Sequence, residues 1–410
     1  MAKVLLLSYI FLILIYQPKL NFDNLKHANS YYPHKSTREL RASLVLFSLL
    51  SYQKLVFLGL LLWRFLRFFR LPVSPLVRFT GYYQFCAGKD VAACAEITHR
   101  MATFGVQSVL DYANEHAKSE EDFDHNVKIV LETIKAAQEN EAYPFAVVKP
   151  TAIGAFVLFE KKSSRVPFSN KEKQAWERTK KRFEKLAQKA SIAGIVLMID
   201  AEESWIQPGI NAIILPMLPK YNRNRVVVAV TLQLYLKGRS AVYDQLLLDA
   251  EKNRFFLGVK LVRGAYMEKE RSRAQQLGIP SPVCDTKVET DAQYRQVLIR
   301  GIDELNTHLC IVATHNEDDI SWVVNTCKKM NISLNNPNLW FSQLYGMRDY
   351  ISFDLAAQGA NVFKYVPFGP LDQSIPYLIR RALENSAMKT QTAVELSMIK
   401  KELQKRKITS

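Results

Sequence analysis

The chain has little that would point to metal, disulfide or hydrolase chemistry. Five cysteines in 410 residues (Cys86, Cys94, Cys284, Cys310, Cys327) are odd in number and form no Cys-x-x-Cys. Neither a disulfide framework nor a zinc site is indicated, and a reducing compartment is expected. The seven histidines show no His-x-x-x-His or His-Glu-x-x-His spacing, so no metal is expected. No Gly-x-Gly-x-x-Gly follows any predicted strand, which argues against a doubly wound dinucleotide-binding sheet. No Ser–His or Cys–His nucleophile arrangement stands out. Acidic residues are also in short supply: 39 Asp and Glu against 55 Lys and Arg leave a formal charge of +16. That excess suits an acidic partner, namely nucleic acid, anionic lipid or a phosphorylated cofactor.

Long uninterrupted apolar runs are absent as well. Residues 4–16 are almost wholly apolar, but the run is short for a bilayer span, and no small-residue cleavage site follows it. Residues 43–70 are rich in Leu, Phe and Val, with Arg64, Arg67 and Arg70 recurring every third residue among Trp63, Phe65, Leu66, Phe68 and Phe69. This pattern leaves two readings open: a helix lying on an anionic membrane surface, or a basic helix packed on the protein's own core, with Arg stems as apolar cover.

What the chain does have is core material, at 48% hydrophobic residues, arranged in eight short apolar runs. They are Val106–Tyr112, Phe145–Val148, Gly194–Ile199, Val226–Val230, Phe256–Val262, His308–Ala313, Leu339–Ser342 and Val362–Tyr365. Most are separated by enough residues for a crossover helix, as parallel strands require. An acidic loop, Glu120-Glu121-Asp122, precedes a helix from about Asn126. A second helix near 171–189 opens with the capping-box pair Ser169 and Glu172. Eight βα units predict an α/β fold, a (β/α)8 TIM-type barrel over 104–405, preceded by an N-terminal helical, membrane-contacting region over 1–103.

In such barrels chemistry gathers where strands end. Those ends supply Lys149, Asp200, Gln233, Arg263, Tyr266, His315 and Tyr365. Beyond the last strand, Tyr377, Arg380, Arg381 and Glu384 follow at helical spacing, with Tyr377, Arg380 and Glu384 able to share one face. Two adjacent guanidiniums repel unless an anion lies between them, and each forks onto a carboxylate. Cations and amides dominate the set. They suit a small acid substrate with a phosphate-bearing cofactor better than hydrolysis.

Four stretches together carry a resemblance: Lys-Leu-Val-Arg-Gly-Ala-Tyr at 260–266, Asp-Ala-Glu-Glu-Ser-Trp at 200–205, Thr-His-Asn-Glu at 314–317, and Tyr-Val-Pro-Phe-Gly at 365–369 leading to Tyr377 through Asn385. The chain resembles the FAD-dependent proline dehydrogenases, in their compact bacterial form. The resemblance implies oxidation of L-proline to Δ1-pyrroline-5-carboxylate, with electrons passed to a membrane quinone. It implies that Arg380 and Arg381 clamp the substrate carboxylate, with Lys149 as a third cation. Tyr365, Tyr377 and Leu344 would wall the ring. Asp200 would be the catalytic carboxylate, and Glu384 would hold the arginine helix beside the cofactor. Gln233 would sit at the flavin's reactive nitrogen and Arg263 would stabilise charge on the reduced ring. Gly264, Ala265, Tyr266, Thr314 and His315 would line the cofactor.

Two further expectations follow. Relatives that prefer hydroxyproline carry a smaller residue in place of Tyr365, so proline is favoured here, with hydroxyproline as the alternative substrate. The cytoplasmic face of a bacterial inner membrane is favoured over the mitochondrial inner membrane, with peripheral contact. A basic barrel that binds nucleic acid is the competing class, but no DNA-binding helix arrangement precedes the barrel and the charge is dispersed. No nucleic-acid partner is expected, and the oligomeric state is left open.

Overall fold

Eight segments alternate side chains between two apolar environments, and in the computed structural model each is a strand of one parallel sheet. The structure describes residues 30–68, 81–113, 117–387 and 389–408. The strands are β1 (Val106–Tyr112), β2 (Phe145–Val148), β3 (Val196–Ile199), β4 (Val228–Gln233), β5 (Leu257–Val262), β6 (His308–Ala313), β7 (Leu339–Leu344) and β8 (Val362–Phe368). Their order is β1-β8-β7-β6-β5-β4-β3-β2. The ring is nearly closed where Ser108 N–H donates to the Ala142 carbonyl at 2.8 Å, beside the start of β2. This is the expected α/β barrel.

The longer helices are α1 (Thr37–Leu50), α2 (Gln53–Phe68), α3 (Val91–Ala102), α4 (Glu120–Glu139), α5 (Asn170–Ala193) and α6 (Arg239–Asn253). They continue as α7 (Met267–Leu277), α8 (Lys287–Asp303), α9 (Glu317–Lys329), α10 (Asp349–Ala357), α11 (Leu371–Ala387) and α12 (Lys389–Ile408).

Period-two alternation builds two cores. Inside the barrel, Val109, Phe145, Val147, Met198, Ala229, Leu309, Ile311 and Phe363 form a closed apolar layer. Phe145 meets Trp340 and Phe363 edge-on, at 5.0 Å and 5.5 Å between ring centres. Removing one such ring, as in Phe363→Ala, costs roughly 3–5 kcal/mol. The opposite strand faces join the helices in the larger core.

Several boundaries differ from the sequence expectation. The acidic triplet Glu120-Glu121-Asp122 is the first turn of α4, with Ser119 as its cap and Asp122 closing a capping box; carboxylates favour the positive end of a helix. β4 runs on to Gln233 itself and β7 to Leu344. β8 continues through Pro367 to Phe368. Pro367 lacks an N–H, but its carbonyl accepts from Ala87 at 3.0 Å, and β1 stays in register beside it.

Residues 81–88 cross the ends of β7 and β8. Tyr82 donates its hydroxyl to the Gly369 carbonyl at 2.7 Å, Gln84 donates Nε2 to the Gly346 carbonyl at 2.6 Å, and Gly369 N–H donates to the Gly88 carbonyl at 2.9 Å. Gly346 has φ +74°, and a β-carbon there would stand 1.7 Å from the Gln84 carbonyl oxygen. Only glycine admits the strap.

The 43–70 stretch forms two helices rather than one. α1 turns Leu40, Phe47 and Leu50 inward. α2 follows at a bend of 95° measured to Trp63 and leaves Leu55, Phe57, Leu58, Leu61 and Leu62 exposed. No single helix among the described residues is long and apolar enough to cross a membrane. Residues 4–16 and Arg70, and the side chains of Arg64 and Arg67, lie outside the described residues.

Candidate active site

The interior alternation carries upward from the apolar layer into charge. Two residues beyond Val109, Val147, Met198, Gly258 and Phe363 stand Asp111, Lys149, Asp200, Lys260 and Tyr365. Five strands thus deliver five polar groups to one mouth. They are connected. Lys149 Nζ lies 2.5 Å from both Asp111 oxygens and donates to the Tyr365 hydroxyl at 3.0 Å. Tyr365 in turn donates to Asp200 Oδ2 at 2.7 Å. The other Asp200 oxygen accepts from Lys260. Both ammonium groups stand over the Tyr365 ring, at 5.3 Å and 5.0 Å.

Burial pushes both carboxyls up, and the ammonium groups oppose it. At Asp111 burial wins over Lys149, and its carboxyl titrates above the usual range. At Asp200 the pair Lys260 and Lys149 outweighs burial and holds it below that range. Asp200 is therefore a firmly ionised group. The Tyr365 phenol is driven well above its ordinary value by burial and then by Asp111 and Asp200.

The predicted residues Lys149, Asp200 and Tyr365 are thus brought together. Asp111 and Lys260 were not anticipated, since both lie inside strands, where an end-of-run reading passes over them. Gln233, the last residue of β4, donates Nε2 to the Glu202 carbonyl at 2.6 Å. Glu202 itself accepts from the Thr151 N–H and hydroxyl at 2.9 Å and 3.0 Å. Burial pushes its carboxyl up to about 7 despite those bonds.

Arg263 is turned to a different neighbourhood. It is out of phase with Lys260, and its guanidinium pairs with Asp291 of α8 at 2.5 Å and with Asp319 of α9, over the Tyr294 ring. The cations beside Asp200 are Lys260 and, at 3.7 Å, Lys149. Gly264 follows with φ +139°, where a β-carbon would meet the Tyr235 ring at 1.9 Å. Ala265 is exposed, and Tyr266 leads into α7.

Thr314 is buried after β6, and His315 Nε2 accepts the Leu344 N–H at 3.0 Å, which ties β6 to the end of β7. Burial, then Lys364, Arg348 and Arg381, hold this imidazole well below its ordinary pKa, so it is neutral with its proton on Nδ1. On α11, Arg381 bonds Glu384 at 2.6 Å and stacks over Tyr377 at 5.2 Å. Arg381 thus reaches both Tyr377 and Glu384, through i,i+4 and i,i+3 spacing, and Arg380 also acts on the Glu384 carboxylate. Burial raises the Glu384 carboxyl against the pull of Arg381 and Arg380.

The donor set fits a polyanionic cofactor. Nε of Arg239 and of Arg263 are buried with no acceptor among the described residues, and an anionic group would satisfy such donors. No group of three or more metal-ligating side chains occurs among the described residues.

Against this geometry, the sequence family described as Proline dehydrogenase matches residues 94–394. The chain belongs to the proline dehydrogenase family, and is an oxidoreductase that acts on proline. It is similar to the carbapenem antibiotics biosynthesis protein CarD of Pectobacterium carotovorum, 34% identical over 306 residues, 75% of this chain and 79% of the relative. The mitochondrial proline dehydrogenase 1 of Dictyostelium discoideum is 31% identical over 379 residues, 82% of this chain and 66% of its own. The human mitochondrial proline dehydrogenase 1 is 38% identical over 245 residues, 58% of this chain and 40% of its own. Among solved structures, proline utilization A from Bdellovibrio bacteriovorus, inactivated by N-propargylglycine, superposes with a TM-score of 0.68 at 18% identity. That match covers 92% of this chain and 40% of the other. The likeness is one of fold.

Proposed function

We propose that the chain oxidises L-proline to Δ1-pyrroline-5-carboxylate at the barrel mouth with bound FAD, and that the electrons pass to a membrane quinone. The observation that carries this reading is the charge balance of the mouth. Two carboxylates (Asp111, Asp200) face two ammonium groups (Lys149, Lys260), two against two, so the cluster is neutral. The adjacent guanidiniums of Arg380 and Arg381 stand beside Glu384 on the same helix. With the strand-end cluster balanced, these guanidiniums are the cations this reading gives to the substrate's carboxylate.

In this reading Arg380 and Arg381 hold the carboxylate and fix the ring in the mouth. Tyr365, Tyr377 and Leu344 pack against its carbons. The double bond of the product lies between nitrogen and the ring methylene remote from the carboxylate. The hydrogen of that methylene must therefore face the cofactor, and the nitrogen must be neutral to supply its lone pair. In this reading Gln233, Lys260, Gly264, Thr314 and His315 line the cofactor, and the buried donors of Arg239 and Arg263 support a place for its anionic part beside them. FAD, when bound, supplies the acceptor for a hydride equivalent. Asp200, held ionised, keeps Tyr365 and Lys260 in place and offsets positive charge that develops on the substrate nitrogen.

Membrane contact is supported by α2. A helix with apolar residues on most of its exposed surface needs a non-aqueous neighbour, and Lys54, Arg64, Arg67 and Arg70 flank its apolar centre in sequence. Anionic lipid suits both features. A second copy of the chain would bring the same positive charge against itself.

The test is an anaerobic absorbance titration of the purified, FAD-loaded protein with L-proline, and with 4-hydroxyproline in parallel. Flavin bands should bleach with proline, and Arg380→Met should abolish bleaching. Bleaching mainly by hydroxyproline would overturn the substrate assignment, and a protein that takes up no FAD would overturn the reading as a whole.

A further inference from the structure

The turn from β7 into α10 is held largely by side chains. The ladder between β6 and β7 ends at Ala313 and Ser342. Two residues further on, Leu344 occupies the next interior position, opposite Tyr365 of β8. His315 accepts the Leu344 N–H, Gln84 of the 81–88 strap donates to the Gly346 carbonyl, and the Arg348 N–H donates to the Glu395 carboxylate of α12 at 3.1 Å. Two further carbonyls are taken by one lysine. Lys364 Nζ donates to the Met347 carbonyl at 2.6 Å and to the Leu344 carbonyl at 3.4 Å. Its side chain leaves β8 on the face opposite Phe363 and Tyr365 and has no exposed surface.

A buried ammonium is costly unless an anion lies beside it. Asp349, at the start of α10 and 1% exposed, supplies that anion. Its Oδ1 lies 2.9 Å from Lys364 Nζ, and its Oδ2 lies 3.1 Å from Lys35 Nζ and 3.4 Å from His34 Nε2. Burial works to raise the Asp349 carboxyl, but Lys364 and Lys35 hold it well below its ordinary range. Glu395 faces the same ammonium from α12. Burial lowers the His34 imidazole to about 4, so it is neutral, and its ring stacks on Phe353 at 4.3 Å.

We propose that Lys364 is a positioning residue for the substrate ring. From behind the sheet it fixes the turn 344–349, and with it the apolar side chain of Leu344 opposite Tyr365. Asp349, Lys35 and His34 keep the ammonium in place. The proposal rests on the proline-oxidising reading of the mouth, with Leu344 against the ring carbons, and names the residue that sets that contact.

Lys364→Met keeps the length and apolar stem of the side chain and removes its donors to Leu344 and Met347. In the FAD-loaded protein the KM for L-proline should rise about tenfold, with kcat changed less than about twofold, because ring contact is lost equally before and during the reaction. The loosened wall should also narrow the preference for L-proline over 4-hydroxyproline. Loss of stability alone lowers the active fraction and leaves both quantities unmoved. A double-mutant cycle shows whether Lys364 acts through Leu344: the KM of Leu344→Ala/Lys364→Met should be no higher than that of Leu344→Ala. Where Lys364→Met does not fold, Lys364→Met/Asp349→Asn removes the pair together, avoids a buried unbalanced charge and should show the same rise in KM.

Wild-type turnover of L-proline is measured first, and its absence would overturn the proline-oxidising reading together with this proposal. With turnover intact, an unchanged KM in Leu344→Ala would remove Leu344 from the ring wall, and Lys364 with it. A raised KM in Leu344→Ala that the Lys364 variants do not share overturns the proposal alone. So does a double variant in which the two increases multiply, since Lys364 would then act by a route other than Leu344.

Discussion

The Tyr365 hydroxyl donates to Asp200 at 2.7 Å while accepting from Lys149 at 3.0 Å. One phenol thereby links a cation from the second strand to an anion from the third. Tyr365→Phe removes both bonds and keeps the ring. It should lower kcat/KM for proline roughly tenfold, about 1.4 kcal/mol, with the flavin spectrum unchanged. Steady-state kinetics on the folded variant would measure this, and unchanged kinetics would remove the phenol from the mechanism.

Lys260 and Asp200 form the other buried pair, with Lys260 only 5% exposed. Asp200→Ala strands that ammonium and should cost roughly 3–5 kcal/mol in urea unfolding. Asp200→Ala/Lys260→Met should recover most of the loss. Equal instability of the single and double variants would show that the pair is not coupled.

Much of the barrel was legible because its strands are short apolar runs with helices between them. The site was legible where an interior position coincides with the end of a run, as at Lys149, Asp200 and Tyr365. Asp111 and Lys260 are interior positions inside a run, so reading to the last apolar residue misses them. Counting by twos from Val109 and from Gly258 finds both. The same count sets Arg263 apart from the interior positions. It shares the outward face with Leu261, and that face looks toward α8 and α9, where Asp291 and Asp319 wait. The partner choice on α11 depends on which guanidinium lies over Tyr377, and spacing alone permits either.

Glu202 should leave a signature in the pH dependence of stability. Its folded pKa of about 7 stands above the ordinary value of 4.5, mainly through burial. Between those values the folded state holds a proton that the unfolded state has released, so stability falls as pH rises through the window and is level above it. The contribution is on the order of 3 kcal/mol. Glu202→Gln, which keeps the acceptor for Thr151, should flatten that decline. Thermal melting at pH 5.5 and pH 8 would check it, and parallel curves for the two proteins would refute the assignment.

The exposed face of α2 makes a separate prediction. Leu58→Asp/Leu62→Asp should abolish co-sedimentation with anionic vesicles and leave turnover with a soluble electron acceptor intact. Binding of the parent protein should weaken as salt rises, through its screened electrostatic part. Unaltered sedimentation of the double variant would assign α2 to another neighbour.

The first described residues are held by the last. Ser30 donates to Glu402 at 2.6 Å, Tyr32 donates to Glu395 at 3.0 Å, and Arg406 donates to the carbonyls of Tyr32 and Lys35. Contacts that span nearly the whole chain carry a high loop-closure cost and form late. On the ribosome the 30–35 segment emerges long before its partners exist. Until α12 follows, it must leave Tyr32, His34 and Lys35 without the burial they have in the finished fold. The barrel strands can pair during synthesis, but the clasp between the two ends can close only after residue 406 has been released from the exit tunnel.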